Sequence, residues 1–269
     1  MNININGKST NINCTTLYEL KNTYHKDTEN LIIIFNGFQT PDDYELHEND
    51  NVSFIIKGQM PSQDEFEALM CARHTPHVFE KVKKAHVAIA GLGGLGSNIA
   101  ISLARTGVGN IHLIDFDIVE PSNLNRQQYR IKDLGKFKTE ALYDEIQDIN
   151  PFINVTYDTV KVTEDNIEKL FENDDIVCEA FDNPKAKAML VNTFLSKYSN
   201  KKLVSASGMA GFESSNSIIT KRISSNFYLC GDGVTGAKIG RGLMAPRVSI
   251  CAGHEANTVL RLILGIEDV

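Results

Sequence analysis

The sequence has no apolar run that approaches the roughly 20 residues needed for a membrane-spanning helix. Runs such as 31–35 have the length of a buried strand instead. The N-terminus alternates polar and apolar residues and has no basic region ahead of an apolar one, which argues against a signal peptide. We therefore expect a cytoplasmic protein with no membrane partner.

The five cysteines form no C-x-x-C pair, and their odd number is not that of a disulfide framework. A zinc site built from paired cysteine motifs is therefore excluded, and we predict that the protein binds no zinc. The cysteines are Cys14, Cys71, Cys178, Cys230 and Cys251.

Positive charge is also scarce, because 27 lysines and arginines face 34 aspartates and glutamates, for a formal charge of −7. A nucleic-acid partner needs a basic face that displaces counterions from phosphates, so we predict none. A local cluster of cations that binds a few phosphates remains compatible with this charge.

Residues 1–58 have the pattern of a small β-rich domain. Two strands, a helix capped by Thr16 with Glu19 three residues later, and two further strands give the order ββαββ. With the last strand central, this order indicates a β-grasp (ubiquitin-like) domain. Residues 59–85 are predicted to form a linker with one helix, which Ser62 caps and Glu65 supports.

Residues 86–269 alternate strand and helix patterns, which predicts an α/β fold with a Rossmann-like, mostly parallel sheet flanked by helices. Strands are expected at 87–90, 111–115, 176–178 and 203–205, and helices at 138–149, 185–197 and 254–264. The segment 222–246 contains five glycines, so we expect it to be mobile and to lie over a site.

The chemistry begins at a glycine-rich turn that follows a strand and opens a helix. This context distinguishes a phosphate-binding turn from a chance G-x-G-x-x-G match. Glycine lets the backbone approach a phosphate closely, and the helix N-terminus offers free N–H groups. The motif residues are Gly91, Gly93, Gly94 and Gly96.

Two carboxylates follow the next strand. Asp115 stands at about the spacing where an acid binds the ribose hydroxyls, and Asp117, two residues on, projects to the same side. Either could bind the ribose, and Asp115 is preferred. NAD and ATP both fit the residues up to this point.

The next stretch, S-N-L-N-R-Q at 122–127, separates the two cofactors. Arg126 and the later Lys138 place two cations near the nucleotide end, which suits a triphosphate better than a diphosphate. Asn123 and Arg126 are three residues apart and would share one face of a helical turn. Taken alone, both cations would more often be surface charges.

Together these elements resemble the ThiF/MoeB family, the bacterial relatives of ubiquitin-activating enzymes. The shared features are G-x-G-G-x-G, D-x-D, S-N-L-x-R-Q, the downstream lysine, and an Asp-Asn pair at 182–183. The resemblance covers residues 62–265. It is closest to thiamine-biosynthesis ThiF proteins with an N-terminal ThiS-like domain, which share A-R-H at 72–74 and G-L-M-A-P-R at 242–247.

The resemblance implies a role for each matching residue. The four glycines would line the adenosine and phosphates, Asp115 or Asp117 would bind the ribose, and Asp182 would bind Mg²⁺. Arg126 and Lys138 would act on the phosphates together with Asp182, and Arg73 would reach the nucleotide of a partner subunit. The remaining residues expected at the ATP site are Ser122, Asn123, Asn125 and Asn183.

The implied activity is that of an adenylyltransferase. It would use ATP and Mg²⁺ to activate the C-terminal glycine carboxylate of a ThiS-like sulfur carrier, within a homodimer and with a sulfur donor acting afterwards. Thiamine thiazole synthesis is the implied pathway. The N-terminal domain continues through Lys57-Gly58-Gln59 without a free Gly-Gly terminus, so it would be a degenerate carrier.

Three alternatives stay open, together with one candidate nucleophile. The chain could be an NAD-dependent oxidoreductase, a carrier-binding pseudoenzyme, or a relative that activates a tRNA base.

Some family members use a cysteine in the crossover loop as a covalent partner for the carrier. Cys230 lies in the matching glycine-rich region and is a candidate reactive thiol, with an ordinary loop or core cysteine as the competing interpretation.

Overall fold

A computed structural model describes residues 1–25 and 30–269 and divides the chain into two compact units. The first unit comprises Met1–Glu80 and the second Lys81–Val269. Among the helices of these residues, none combines the length and apolar character of a membrane span.

The N-terminal unit contains a five-stranded sheet in the order β2-β1-β5-β3-β4, with β5 in the centre as predicted. Helix α1 begins after its predicted cap, Thr16, whose hydroxyl accepts the backbone N–H of Glu19. It buries Leu17 and Leu20 against the sheet. The strands are β1 (Asn2–Ile5), β2 (Lys8–Asn11), β3 (Leu31–Phe35), β4 (Phe38–Gln39) and β5 (Asn51–Ile56), and α1 is Leu17–Tyr24.

The helix that the sequence placed in a linker belongs to this unit. Helix α2 (Gln63–His74) has the predicted capping box of Ser62 and Glu65, and it packs on β3, β4 and β5. The Asn6 amide donates to Glu65 Oε1 at 2.9 Å and so joins the helix to the sheet. A further helix, α3 (Pro76–Lys84), occupies residues that were expected to be linker.

The second unit contains a seven-stranded sheet in the order β11-β12-β10-β9-β6-β7-β8. All neighbouring strands are parallel except β11, which pairs antiparallel with β12, so the predicted Rossmann-like sheet is confirmed. The strands are β6 (His86–Ala90), β7 (Asn110–Ile114), β8 (Asn154–Asp158), β9 (Ile176–Glu179), β10 (Lys202–Ala206), β11 (Ile219–Arg222) and β12 (Phe227–Gly231).

Helices cover both faces of this sheet and close its core. The buried cluster around Phe171, Leu190 and Phe194 packs on β6, β9 and β10. Helices α4 and α8 pack against each other, and α8 also packs on β10 and β12. The helices are α4 (Gly94–Thr106), α5 (Lys138–Ile149), α6 (Ile167–Leu170), α7 (Pro184–Lys197) and α8 (Ala245–Ile263).

Two strands differ from the sequence prediction. Strand β12 lies inside 222–246, a segment that was expected to be mobile and to which no strand was assigned. The returning strand of the first unit was expected at Ile12 and Cys14, but strand β2 ends before both residues. The predicted motifs nevertheless begin where the parallel strands end: β6 ends directly before Gly91, and β7 directly before Asp115. The motif residues therefore lie together at the carboxyl edge of the large sheet.

Candidate nucleotide-binding site

The turn between β6 and α4 requires its glycines. Gly91 has φ of +91°, and a Cβ there would lie 2.9 Å from the Phe181 ring. A Cβ on Gly96 would lie 1.8 Å from the carbonyl oxygen of Gly91, so Gly96 permits close packing rather than lining a ligand. Helix α4 has no side-chain cap at Gly93, which leaves N–H groups of its first turn available to an anion.

Asp115 holds this turn in place. Its Oδ2 accepts the backbone N–H of Leu92 at 2.6 Å, and its Oδ1 accepts that of Asp117 at 2.8 Å. The carboxylate is only 8% exposed, but it lines the adjoining cavity. Each carboxylate oxygen can accept a further hydrogen bond, so ribose binding and support of the turn are compatible.

Lys138 stands at the start of α5, where its Nζ lies 3.0 Å from Asp117 Oδ2. The lysine is buried, whereas the Asp117 side chain is about half exposed. Lys138 is therefore not the surface charge that a lone lysine would suggest. The ion pair gives the ammonium a fixed position on the cavity wall.

Asn123 and Arg126 come from the short 3₁₀ turn Pro121–Asn123 and the residues that follow it. The Asn123 side chain is buried, and its Oδ1 accepts the backbone N–H of Glu120. Arg126 donates from one guanidinium nitrogen to the Ser122 carbonyl at 3.2 Å and to Asn125 Oδ1 at 2.8 Å. Both Asn123 and Arg126 line the cavity.

The Asp182-Asn183 pair divides into two roles. Asn183 caps α7, because its Oδ1 accepts the N–H groups of Lys185 and Ala186. Asp182 is exposed to the cavity, and no hydrogen bond or ion pair binds it within residues 1–25 and 30–269. Mg²⁺ at phosphate sites commonly takes one or two carboxylates plus substrate phosphates, so a single free Asp182 fits that ion.

No three His, Cys, Asp or Glu side chains in the described ranges converge closely enough to hold a metal by themselves. A divalent ion here would therefore depend on oxygens supplied by the nucleotide. Asp182 would be the protein ligand, and the ion would neutralise phosphate charge.

A buried network next to Asp182 was not predicted from the sequence. Glu179, at the end of β9, is fully buried and accepts from Lys187 Nζ and Ser205 Oγ, both at 2.5 Å. Its other oxygen accepts the Phe181 N–H at 2.8 Å. Lys187 lines the cavity and adds a cation to it that was not predicted. The sequence did contain one sign of this network, because Glu179 is a charged residue at the end of the otherwise apolar strand β9.

These groups meet in one cavity of about 1290 Å³ beyond the carboxyl ends of β6, β7, β9 and β10. Such a position is where parallel α/β sheets bind ligands. The predicted residues on its walls are Gly91, Gly93, Gly94, Asp115, Asp117, Asn123, Arg126, Lys138, Asp182 and Asn183.

Other predicted residues lie elsewhere. Gly96, Ser122 and Asn125 do not line the cavity; Asn125 instead bonds Arg126 and the carbonyl of Leu243. Arg73 belongs to the N-terminal unit, where its guanidinium donates to Gln39 Oε1 at 3.4 Å.

Of the two interpretations of Cys230, the structure favours the core cysteine over the reactive thiol. This residue lies in strand β12 and is completely buried, rather than in the glycine-rich loop. Burial, and then the nearby charge of Glu255, raise the pKa of the thiol to about 12. A thiol of this kind is protonated at neutral pH, so Cys230 has the properties of a core residue and not of a nucleophile.

Residues 232–244, which we call the strap, follow β12 and supply Thr235, Gly236, Ala237 and Leu243 to the cavity wall. Asp232 anchors the start of the strap through the N–H groups of Val234 and Thr235. It also pairs with the buried Arg247 of α8 at 2.6 Å. The glycine-rich segment therefore lies over the site, as its composition indicated.

The fold and this cavity define a Rossmann-like nucleotide-binding domain joined to a ubiquitin-like domain. The ThiF family profile matches residues 67–269, and the ThiS-like ubiquitin profile matches residues 1–58. The chain belongs to the ThiF family.

Curated relatives match part of the chain. "Adenylyltransferase and sulfurtransferase uba4" of Aspergillus clavatus is 37% identical over 130 residues, which cover 48% of this chain and 26% of that protein. "tRNA threonylcarbamoyladenosine dehydratase" of Haemophilus influenzae is 36% identical over 121 residues, covering 44% and 46% of the two chains. The chain thus matches less than half the length of either relative.

Solved structures share the fold. The E. coli tRNA N6-threonylcarbamoyladenosine dehydratase TcdA in complex with ATP superposes with a TM-score of 0.67 at 24% identity, over 77% of this chain and 98% of that chain. E. coli MccB with ATP gives a TM-score of 0.57 at 22% identity, over 79% and 74% of the two chains.

Proposed function

We propose that this chain is an ATP-dependent adenylyltransferase that activates the C-terminal glycine carboxylate of a ThiS-like sulfur carrier. The reaction is carrier–COO⁻ plus ATP giving carrier–CO–AMP plus pyrophosphate. One observation carries the proposal: Arg126, Lys138 and the unpaired Asp182 line the same cavity as the glycine turn. That combination suits a triphosphate with a divalent ion.

The chemistry needs positioning more than proton transfer. A terminal carboxylate is ionised at pH 7 and attacks the α-phosphorus without a general base. The barrier comes from bringing an anion to a polyanion and from the charge of the departing pyrophosphate. Arg126, Lys138 and the N-terminus of α4 would offset that charge, and Mg²⁺ held at Asp182 would supply further neutralisation.

The finer assignments follow from the resemblance. A sulfur donor would convert the acyl adenylate to a thiocarboxylate, and the stretches at 72–74 and 242–247 favour thiamine thiazole synthesis as the pathway. A homodimer is the expected assembly, in which Arg73 would reach the partner's nucleotide. The N-terminal domain has no free carboxylate to activate, so it would act in dimerisation, docking or regulation, or serve as an inert scaffold.

Mass spectrometry tests the proposal directly. Candidate Gly-Gly carriers are incubated with the protein, ATP and Mg²⁺, and the AMP adduct is sought on the carrier. A carrier that lacks its terminal glycine is the matched control. Pyrophosphate exchange that requires the carrier separates this activity from an NAD-dependent oxidoreductase. Absence of both the adduct and the exchange with every carrier would refute the proposal.

A second candidate is activation of a modified tRNA base. It is supported by the 98% coverage of the E. coli dehydratase and by the H. influenzae relative. The same cavity would then adenylate a carboxylate on tRNA instead of a protein tail. Release of AMP that depends on tRNA and not on a carrier would favour this candidate. The formal charge of −7 argues mildly against it.

A further inference from the structure

The strap is held to the rest of its unit at several points. Backbone bonds join Ala210 to Thr235 and Gly211 to Gly242, and an ion pair of 3.0 Å joins Arg241 to Glu213. Its tip is a tight hairpin in which Lys238 and Arg241 exchange backbone hydrogen bonds of 2.9 Å. At the tip, Ile239 is fully exposed.

One anchor connects the strap to the phosphate-binding segment. Asn125 Nδ2 donates to the carbonyl of Leu243 at 3.1 Å, while Asn125 Oδ1 accepts from the guanidinium of Arg126 at 2.8 Å. The two halves of a single amide therefore join a cation on the cavity wall to the end of the strap. Asn125 itself does not line the cavity.

We propose that Asn125 is a positioning residue that couples nucleotide binding at Arg126 to the release of the strap. The proposal rests on the proposed function, because it takes Arg126 to bind ATP phosphates. Without nucleotide, Arg126 holds the Asn125 amide in the orientation that reaches Leu243. When phosphate oxygens attract the guanidinium, that hold is lost, and the strap loses one anchor beside the cavity.

The physical basis is competition for one donor group. A guanidinium forms stronger hydrogen bonds with phosphate than with a neutral amide oxygen. Bound ATP would therefore replace Asn125 Oδ1 as the acceptor for Arg126. The cavity wall formed by Thr235, Gly236 and Ala237 then becomes easier to displace, which favours entry of a protein tail after ATP. Such coupling changes an affinity or an opening equilibrium by about fivefold or more.

Hydrogen–deuterium exchange of residues 233–243 tests this coupling with α,β-methylene ATP and Mg²⁺ as the probe. In the wild-type chain, nucleotide should accelerate strap exchange by about fivefold. In Asn125→Ala, exchange should already be fast and should not respond to nucleotide. Asn125→Asp keeps the acceptor for Arg126 but loses the donor to Leu243, so it should behave like Asn125→Ala while binding nucleotide less tightly.

Arg241→Ala is the matched control, because it removes a different anchor of the strap. Its exchange should be faster in both states, but the response to nucleotide should persist. Calorimetric titration with the same analogue measures nucleotide binding separately from the response of the strap. Absence of binding to the wild type would overturn the proposed function and this inference together. Binding without faster strap exchange, or an equal response in Asn125→Ala, would overturn the inference alone.

Discussion

The Lys138 ammonium lies 3.0 Å from the Asp117 carboxylate at the point where α5 meets the cavity. The lysine is buried, whereas the side chain of Asp117 is about half exposed to solvent. A phosphate arriving in the cavity can therefore share the ammonium with Asp117. Lys138 is positioned before the nucleotide binds, which lowers the cost of ordering it.

Replacement of Lys138 by alanine should abolish carrier-dependent pyrophosphate exchange while the fold remains intact. Removal of one preorganised charge from a transition state costs at least about 100-fold in rate. Circular dichroism checks the fold, and isotope exchange checks the rate. Lys136→Ala is the control, because Lys136 pairs with Asp133 and Asp144 and does not line the cavity. Wild-type exchange in Lys138→Ala would remove this residue from the mechanism.

Replacement of Glu179 by glutamine should destabilise the protein by about 2 kcal/mol, because the partly buried Lys187 ammonium loses its countercharge. The side-chain volume is unchanged, so the loss reports on charge rather than on a cavity. Urea unfolding measures the effect. The double variant Glu179→Gln, Lys187→Met should recover part of the stability; a double variant that is less stable than Glu179→Gln would show that the pair is not the cause.

Much of the fold could be predicted because its signals are local. The caps at Thr16 and Ser62 depend on residues three positions apart, and the glycine turn depends on a strand directly before it. Arg126 and Lys138 line the same cavity, a placement that the resemblance to the ThiF family implied and that the two residues alone did not. These patterns are short enough that the chain itself specifies them.

The missed features depend on partners distant in sequence. Strand β12 is a strand because it pairs with β10 and β11, which its glycine-rich surroundings did not reveal. Cys230 is buried for the same reason. Glu179 contacts Lys187 directly and also accepts from Ser205, which lies on another strand. Asn125 was grouped with the ATP ligands because it stands inside their motif, although its side chain turns to the strap.

Cys230→Ala should leave the rate of adenylate formation unchanged. The thiol has a pKa of about 12, so roughly one thiol in ten thousand is ionised at pH 8. Iodoacetamide should therefore leave Cys230 unmodified in the native protein and label it only after unfolding. The partly exposed Cys14 is the internal control and should be labelled first. A carrier trapped as a thioester or disulfide on Cys230 would contradict this prediction.

His112 should stabilise the protein in a pH-dependent manner. Burial lowers its pKa, but hydrogen bonds and charges from Asp174 at 3.0 Å and Asp158 at 2.9 Å outweigh burial and raise it overall. A pKa raised in the folded state gives a stabilisation that is complete below the unfolded value of about 6.5 and is lost as pH rises through the folded value. The imidazolium can donate to both carboxylates at once, whereas neutral histidine can donate to only one.

The stability difference between wild type and His112→Gln should therefore be largest below about pH 6.5 and shrink at alkaline pH. Urea unfolding at several pH values measures this difference. His47→Asn is the control: its ring lies 3.9 Å from Asp50 and the side chain is 72% exposed, so its effect should vary little with pH. A difference for His112→Gln that grows with rising pH would show that the histidine is neutral in the folded state and that the two carboxylates do not hold its proton.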